Sequence, residues 1–452
     1  MLKQFFLHIF FITFIVSIKG QVLNTSPFSR YGIGEINTIQ SAHYFGFGNI
    51  TSSSSEPQYI NINNPASYAS FIKYNPIYNV SLAGKSALYN SNYNDKETTS
   101  SGNNFGLNNL FMGLPITKNW GLVFGITPLS SQGYEVRSTV PLDTSTVSYV
   151  FKGDGSVNKL LVGNGFNILN KGDTTRISLG VNCSYLFGNL DRTSSVIYNN
   201  SNDYNSRIQY RSSLSGWGFD FGLQIFKRFK TASNNKLFLN LGVNYSLSSD
   251  ISTDNDFFAY TFKYNFSVQE FPKDTLAMEN ETSNMVLPEK LEFGLSFGKV
   301  FKNKRRWDLG IQYSTVDWTK FQDNSKYSSQ SGFPMGPFSR ISLGYRLSPN
   351  LDWSSTNKSL LSKSTFSLGF HQTKSKIIVD ESSLIQNGIN FGVSIPLLSS
   401  RSLSRVNFGF EFGKLGDLNI NNIEENYLKF SVGFSLGPDT RYDRWFRKRK
   451  YD

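Results

Sequence analysis

The strongest constraint in this chain is an alternation of bulky apolar and small polar residues that recurs from about residue 105 onward. Leu237, Leu239, Leu241, Val243 and Tyr245 alternate with Asn240, Gly242 and Asn244; Leu291, Phe293, Leu295 and Phe297 alternate with Glu292, Gly294, Ser296 and Gly298. The same habit returns at Val406, Phe408, Phe410 and Phe412 against Asn407, Gly409, Glu411 and Gly413, and at Leu428, Phe430, Val432, Phe434 and Leu436 against Lys429, Ser431, Gly433 and Ser435. A period of two puts each set on opposite faces of a β-sheet. In a soluble barrel the bulky set would fill the interior, whereas in a membrane barrel it faces lipid and encloses a polar lumen. Segment length decides for lipid, being close to the roughly 9–11 residues that span a bilayer as a tilted strand. A coat of Gly and Ser would also serve water poorly. No later segment approaches the roughly 20 apolar residues of a membrane helix.

Counting by alternation gives about fourteen candidate strands, near 76–90, 104–117, 120–136, 155–169, 177–193, 210–229, 236–252, 289–300, 307–321, 337–348, 363–378, 384–398, 405–415 and 426–437. This predicts an all-β, transmembrane antiparallel barrel over 76–437. Connections should alternate between short periplasmic turns and longer external loops, with 137–154 a long link and 253–288 the longest. An even strand number returns both ends of the barrel to the periplasm.

The N-terminus reads as a signal peptide over 1–20, with Lys3 before the apolar run Phe5 to Ile18 and a cleavage site at Gly20-Gln21. That run is short for an anchor helix. Residues 21–75 do not alternate and are rich in Ser, Asn, Gly and Pro. Disorder predicts few aromatics, and this segment carries Phe28, Tyr31, Tyr44, Phe45, Phe47, Tyr59, Tyr68 and Phe71, which favours a packed plug over a disordered leader. The lone Cys183 excludes a disulfide framework within the chain and reads as an apolar side chain. A formal charge of +12 is scattered, with concentrations at Lys227-Arg228, Lys302 to Arg306 and Arg444 to Lys450. No nucleic-acid module accompanies it, and basic turns beside lipid phosphates are the simpler reading, so the expected partner is outer-membrane lipid and not nucleic acid. The basic tail 438–452, with Arg444, Trp445, Phe446 and Arg447, is expected in the periplasm, against the barrel base or lipid headgroups or docked on a partner.

Several motifs then stand out in order. Asn64-Pro65-Ala66 precedes the first strand; LPEKLEFGLSF (287–297) opens a later one; WDLGIQYSTVDWTKF (307–321) ends in Asp-Trp. Together with the strand count, these resemble the FadL-type outer-membrane channels, over nearly the whole mature chain. The opening SPFSRYGIGEI (26–36) and closing DRWFRKRKYD (443–452) look like a branch of FadL-like proteins that includes relatives acting beside secretion or barrel-assembly machines. The resemblance implies a fourteen-stranded barrel with an N-terminal hatch in its lumen, Asn64, Pro65 and Ala66 marking the hatch, passive uptake of hydrophobic compounds by a monomeric channel, and no cofactor. It also implies a side door at an interrupted third strand.

Residues 121–136 (GLVFGITPLSSQGYEV) are the third strand here, and Pro128 lies inside them. Proline cannot donate to a β-ladder, so a gap or bulge is expected. Pro128, flanked by Gly125 and Gly133, therefore marks either a lateral opening or the point where the strand becomes a loop. Trp318, near a strand end, suits the aromatic interface belt. Only His43 and His371 survive removal of the leader, and no GxSxG, HExxH or Walker loop is present, which argues against an enzyme. By parity His371 faces the lumen with Ser367. Asp254 and Asp256 read as solvated loop acids and not as a metal site. The alternative to a channel is a non-catalytic subunit of an outer-membrane assembly or type 9 secretion complex, with loops and tail docking protein partners.

Overall fold

The computed structural model describes residues 26–438 apart from 94–95, 142–145, 173, 200–202, 232–234, 265–269, 327–334, 352–358, 380 and 398–403. The expected signal peptide, its cleavage site and the tail residues Arg444, Trp445, Phe446 and Arg447 lie outside the described residues.

The wall is a closed antiparallel barrel of fourteen strands. They are β1 Ile77–Tyr93, β2 Lys96–Pro115, β3 Trp120–Pro141, β4 Thr146–Asn170, β5 Thr175–Tyr198 and β6 Asn205–Lys230. β7 joins Lys236–Ser246 to Ser249–Tyr264, and β8 joins Glu270–Leu287 to Lys290–Val300. β9 Arg306–Asp317, β10 Pro337–Ser348, β11 Thr365–Val379, β12 Ser382–Pro396, β13 Arg405–Asp417 and β14 Ile423–Leu436 follow. Pairing of β14 with β1, from Leu436↔Tyr78 to Ile423↔Ser91, closes the cylinder. Closure matters because an open edge in hydrocarbon would leave backbone N–H and C=O groups with nothing to bond.

The parity of the alternation sorts the two faces as lipid requires. Phe293, Leu295 and Phe297 project outward and are exposed, while Glu292 and Ser296 on the same strand are buried. Across the ladder, Leu241, Leu295 and Ile311 lie in register and all three point outward. Cys183 sits between Val162 and Phe219, both outward-facing, so its thiol shares the apolar face.

Two expectations are corrected. The two connections expected as long loops are largely laddered. Arg137–Pro141 pairs with Thr146–Val150, and Ser249–Tyr264 pairs with Glu270–Leu287, so segments 137–154 and 253–288 are rising hairpins. Beyond the bilayer no lipid selects one face, so alternation fades while the ladder continues through Thr, Ser and Asn. β4 to β6 thus reach 25, 24 and 26 residues against 12 for β9. Asp254 accepts from Thr282 Oγ1 at 3.0 Å in one such hairpin. Trp318 is the second correction. It lies in a 3-10 turn, Trp318–Lys320, capped by Asp317, and is buried on the lumen side with Lys376 Nζ 4.0 Å from its ring centroid. The turn reverses the chain inward, so the indole never reaches the interface. Trp217, 58% exposed, is a tryptophan that does face outward.

Candidate functional site

Residues 26–76 run inside the barrel. The Asn64-Pro65-Ala66 stretch starts a 3-10 turn, Pro65–Ser70, in which Asn64 Oδ1 accepts from Ala66 N at 3.1 Å and proline takes the first position, where no N–H is needed. Asn64 is fully buried, and its Nδ2 donates to Ser52 O at 2.7 Å and to wall carbonyls of Leu223 and Val243 at 3.3 Å. Wall amides also satisfy several of the plug's backbone groups. Gln312 Oε1 accepts from Thr51 N and Ser52 N at 2.8 and 2.9 Å, and Gln224 Nε2 donates to Ser52 O and Ser54 O at 2.9 and 3.0 Å.

The reason for so many lumen-facing glycines becomes visible here. Gly121, Gly165, Gly180 and Gly222 stand in register on β3 to β6; Gly242 and Gly294 on β7 and β8; Gly310, Gly344 and Gly369 on β9 to β11; Gly392 and Gly409 on β12 and β13. A Cβ at Gly121 would lie 2.1 Å from Tyr68 O, at Gly180 2.3 Å from Pro65 C, at Gly242 1.8 Å from Ser52 O and at Gly369 2.4 Å from Gly48 N. The plug backbone rests directly on this girdle.

A buried ionic cluster pins the same body. Arg346 bonds Glu56, reaches Asp308 Oδ2 at 3.1 Å through Nε, and lies over the Phe47 ring at 4.4 Å. Its Nη1 donates to His43 Nε2 at 2.6 Å, which leaves the His43 proton on Nδ1, donated to Ser394 Oγ at 2.8 Å. Burial first, and the neighbouring Arg346, Arg405 and Arg306 next, hold the His43 imidazole well below its usual range and so neutral. This Ser–His contact runs the wrong way for catalysis, because the ring donates to the hydroxyl and cannot take its proton. His371 faces the lumen as parity predicts, and bonds Asn390 Oδ1 at 3.2 Å.

Above the plug body lies a lumenal cavity of about 340 Å³. Phe28, Ile33, Leu129, Leu186, Val316, Phe338 and Ile377 supply apolar lining, and Trp318 closes one side. Its charges are mostly paired: Lys159 with Asp220 at 2.7 Å, Lys290 with Glu292 at 2.9 Å, Lys85 with Glu425 at 2.7 Å. Lys376 and Arg340 are buried against it, and among the described residues no carboxylate comes within 4.0 Å of either. Arg340 Nη2 has no hydrogen-bond partner.

The wall beside this cavity is incomplete. β2 and β3 pair only from Pro115↔Gly121 to Leu110↔Ile126, although both strands continue upward. Gly125 is at the last close approach, where a Cβ would meet Leu110 O at 2.1 Å. Above it Asn108 bulges out of the β1–β2 ladder and Leu129 out of the β3–β4 ladder, so the two edges part. Pro128 sits at the parting. A strap from the plug fills the space: Glu35–Ile36 pairs with Ser130 and Ser131, and Asn37 N donates to Leu129 O at 2.9 Å. Gly133 is bonded twice by Ser29 Oγ, each at 3.1 Å. On the other side Asn108 and Asn109 donate to Ile39 O and Gln40 O at 2.8 and 2.7 Å. Gly34 has φ +102° and lies where a Cβ would be 2.3 Å from Ser131 O, so only glycine lets the strap lie on β3. A smaller hollow of about 100 Å³ at the seam shares Glu35, Ile36, Asn37, Lys85, Pro128 and Lys429 with the main cavity.

Sequence reading singled out Pro128, Gly125 and Gly133, which the fold brings to one seam, and Asn64 to Ala66, which it seats on the glycines of β4 to β6. It missed Glu35, Lys85, Lys376, Arg340, Glu425 and Arg346. The available signal was a charge on the small-residue parity of a strand, as at Lys429 and Glu411.

The fold has solved counterparts. A FadL homologue from Pseudomonas aeruginosa superposes with TM-score 0.52 over 90% of this chain and 99% of its own at 10% identity. A mutant of TodX, a monoaromatic hydrocarbon channel of Pseudomonas putida, gives 0.51 over 88% and 98% at 13% identity. At these identities the likeness concerns architecture alone. No curated protein matches by sequence. A family model, BamG, matches residues 1–452. The outward apolar face, the closed fourteen-strand wall and this match over the full length lead to one conclusion: the chain belongs to the BamG family and is a FadL-type β-barrel of the Gram-negative outer membrane.

Proposed function

We propose that this barrel is a passive channel for hydrophobic compounds, which enter the lumenal cavity from outside and leave sideways between β2 and β3. The observation that carries this reading is the shared lining of cavity and seam, with Pro128 and the strap Glu35–Asn37 between them. A path straight down meets the plug body on its glycine girdle, whereas the seam is spanned by one strap. Lys376 and Arg340 favour a guest that carries a small anionic or acceptor group on an apolar body. Hatch residues Asn64, Pro65 and Ala66 serve to hold the plug. Uptake of an apolar fluorophore into vesicles reconstituted with the barrel tests the reading. Pro128→Val is expected to alter uptake by straightening β3, and unchanged uptake of every apolar probe would discredit the side passage.

A second reading has its own support, the BamG family match over the whole chain. In it the barrel is a non-catalytic subunit of an outer-membrane assembly or type 9 secretion complex, with the tall hairpins of β3 to β8 and the basic tail as docking surfaces. Purification in mild detergent with mass spectrometry separates the two. A lone barrel carrying an apolar compound supports the channel, and stoichiometric protein companions support the subunit.

A further inference from the structure

We infer that Glu35 is the gate residue of the seam: its carboxylate, shared by Lys85 and Lys429, holds the strap across the wall, and its withdrawal opens the cavity to the bilayer. This rests on the side-passage reading. The plug divides into two parts that are held by different physics. The body, from Ala42 to Phe71, sits with its backbone on glycines and cannot slide without collision. The strap, residues 32–40, combines burial of Ile33 in one apolar cluster with Leu186, Leu190 and Leu214 with hydrogen bonds and the charge of Glu35.

Cations from four strands converge on it. Arg192 Nη2 of β5 donates to Gly32 O at 2.7 Å, and Lys376 Nζ of β11 donates to Gly34 O at 3.2 Å. Lys85 of β1 and Lys429 of β14 lie 2.9 and 3.6 Å from the Glu35 carboxylate. The two carbonyl contacts are neutral acceptors and weak by comparison, so the carboxylate is the one full negative charge that the strap supplies. Lys85 keeps Glu425 at 2.7 Å if Glu35 leaves, which makes the exchange affordable on the wall side. Lys429 is left with the Tyr427 ring, 5.0 Å away, and the cross-strand Glu411, which forms no ion pair with it within 4.0 Å, and so pulls the strap back. β3 also loses its partner at Ser130 and Ser131 when the strap goes. Those backbone groups then lack bonds near lipid, which is a second restoring force.

The test reads strap position and not transport. Thr38→Cys, in a Cys183→Ser background, is labelled with a water-soluble maleimide in outer-membrane vesicles. Glu35→Gln is expected to raise the labelling rate on the order of ten-fold, the scale of one partly buried ion pair. Lys429→Met should act in the same direction, which covers the case of a Glu35 variant that fails to fold. Ser70→Cys, in the plug body, should label at the same rate with and without Glu35→Gln. Parental labelling rates at Thr38→Cys in both charge variants would overturn the gate. The reading beneath it is examined separately. Asn37→Cys with Asn108→Cys, whose amides lie 2.9 Å apart, pins the strap to β2 when oxidised. If Glu35→Gln frees the strap while pinned and reduced barrels take up 1-aminoanthracene equally, the gate stands and sideways uptake falls.

Discussion

Replacing Gly180 by alanine should unseat the plug while leaving the wall intact. The added methyl would lie 2.3 Å from Pro65 C, 2.4 Å from Ala66 N and 2.5 Å from Pro65 O. Carbon contacts are comfortable at roughly 3.5–4.0 Å, so the overlap exceeds about 1 Å against backbone, not against the end of a flexible side chain. Neither partner can yield cheaply. Gly180 is laddered to Gly165 and Gly222, and the plug turn is tied by Asn64 to Ser52, Leu223 and Val243. Overpacking of this kind costs about 1–3 kcal/mol, and at about 2 kcal/mol the ratio of seated to unseated plug falls roughly thirty-fold. Limited proteolysis of the folded barrel measures that ratio, with planar-bilayer conductance as a second readout, since an unseated plug leaves an aqueous path. Gly218→Ala is the control, because its nearest neighbours are the Ser249 hydroxyl at 3.3 Å and Leu186 Cδ1 at 3.8 Å. If Gly180→Ala and Gly222→Ala both keep the plug as protected and the membrane as tight as Gly218→Ala does, the girdle does not seat the plug.

Leu295→Arg places a charge on the outward face between Leu241 and Ile311 and should destabilise the barrel by about 2–4 kcal/mol near the midplane, measured as urea unfolding from phospholipid vesicles. Arg346→Met leaves Glu56 and Asp308 to Arg306 alone, at 3.6 and 2.7 Å, and should cost about 1–3 kcal/mol, seen as a lowered Tm and a protease-sensitive plug. Plug seating should weaken with acid through His43. Its seated form resists protonation, so an unseated plug binds the extra proton; stability is full above the ordinary value of 6.5 and declines as pH falls below it, by at most about 1.4 kcal/mol per pH unit. Comparing plug proteolysis between pH 7.5 and 5.5 checks this, and a His43→Gln barrel with the same pH profile as the parent would refute the assignment.

Much of the wall was legible without coordinates. Lipid on one side and a lumen on the other impose a strict two-residue period, so the outward Phe293, Leu295 and Phe297 and the inward Glu292 could be assigned by parity. The strand number followed from the same rule. Its limits are physical too. Above the bilayer one face is no longer selected, and 137–154 and 253–288 therefore read as loops although they are laddered hairpins. Trp318 carried the composition of an interface residue, but a turn capped by Asp317 sends it inward, and no local pattern reports which way such a turn folds.

The chain alone determined which side chains meet hydrocarbon, because that choice repeats every second residue and needs no partner distant in sequence. Only the tertiary structure decided what the small residues are for. Gly180 is small because Pro65 lies against it, and Glu35 is acidic because Lys85 and Lys429 face it, pairings that depend on a segment from the N-terminus entering a cylinder closed by the last strand. Such contacts join residues tens to hundreds of positions apart, so they are fixed by closure of the barrel and leave no period in the sequence.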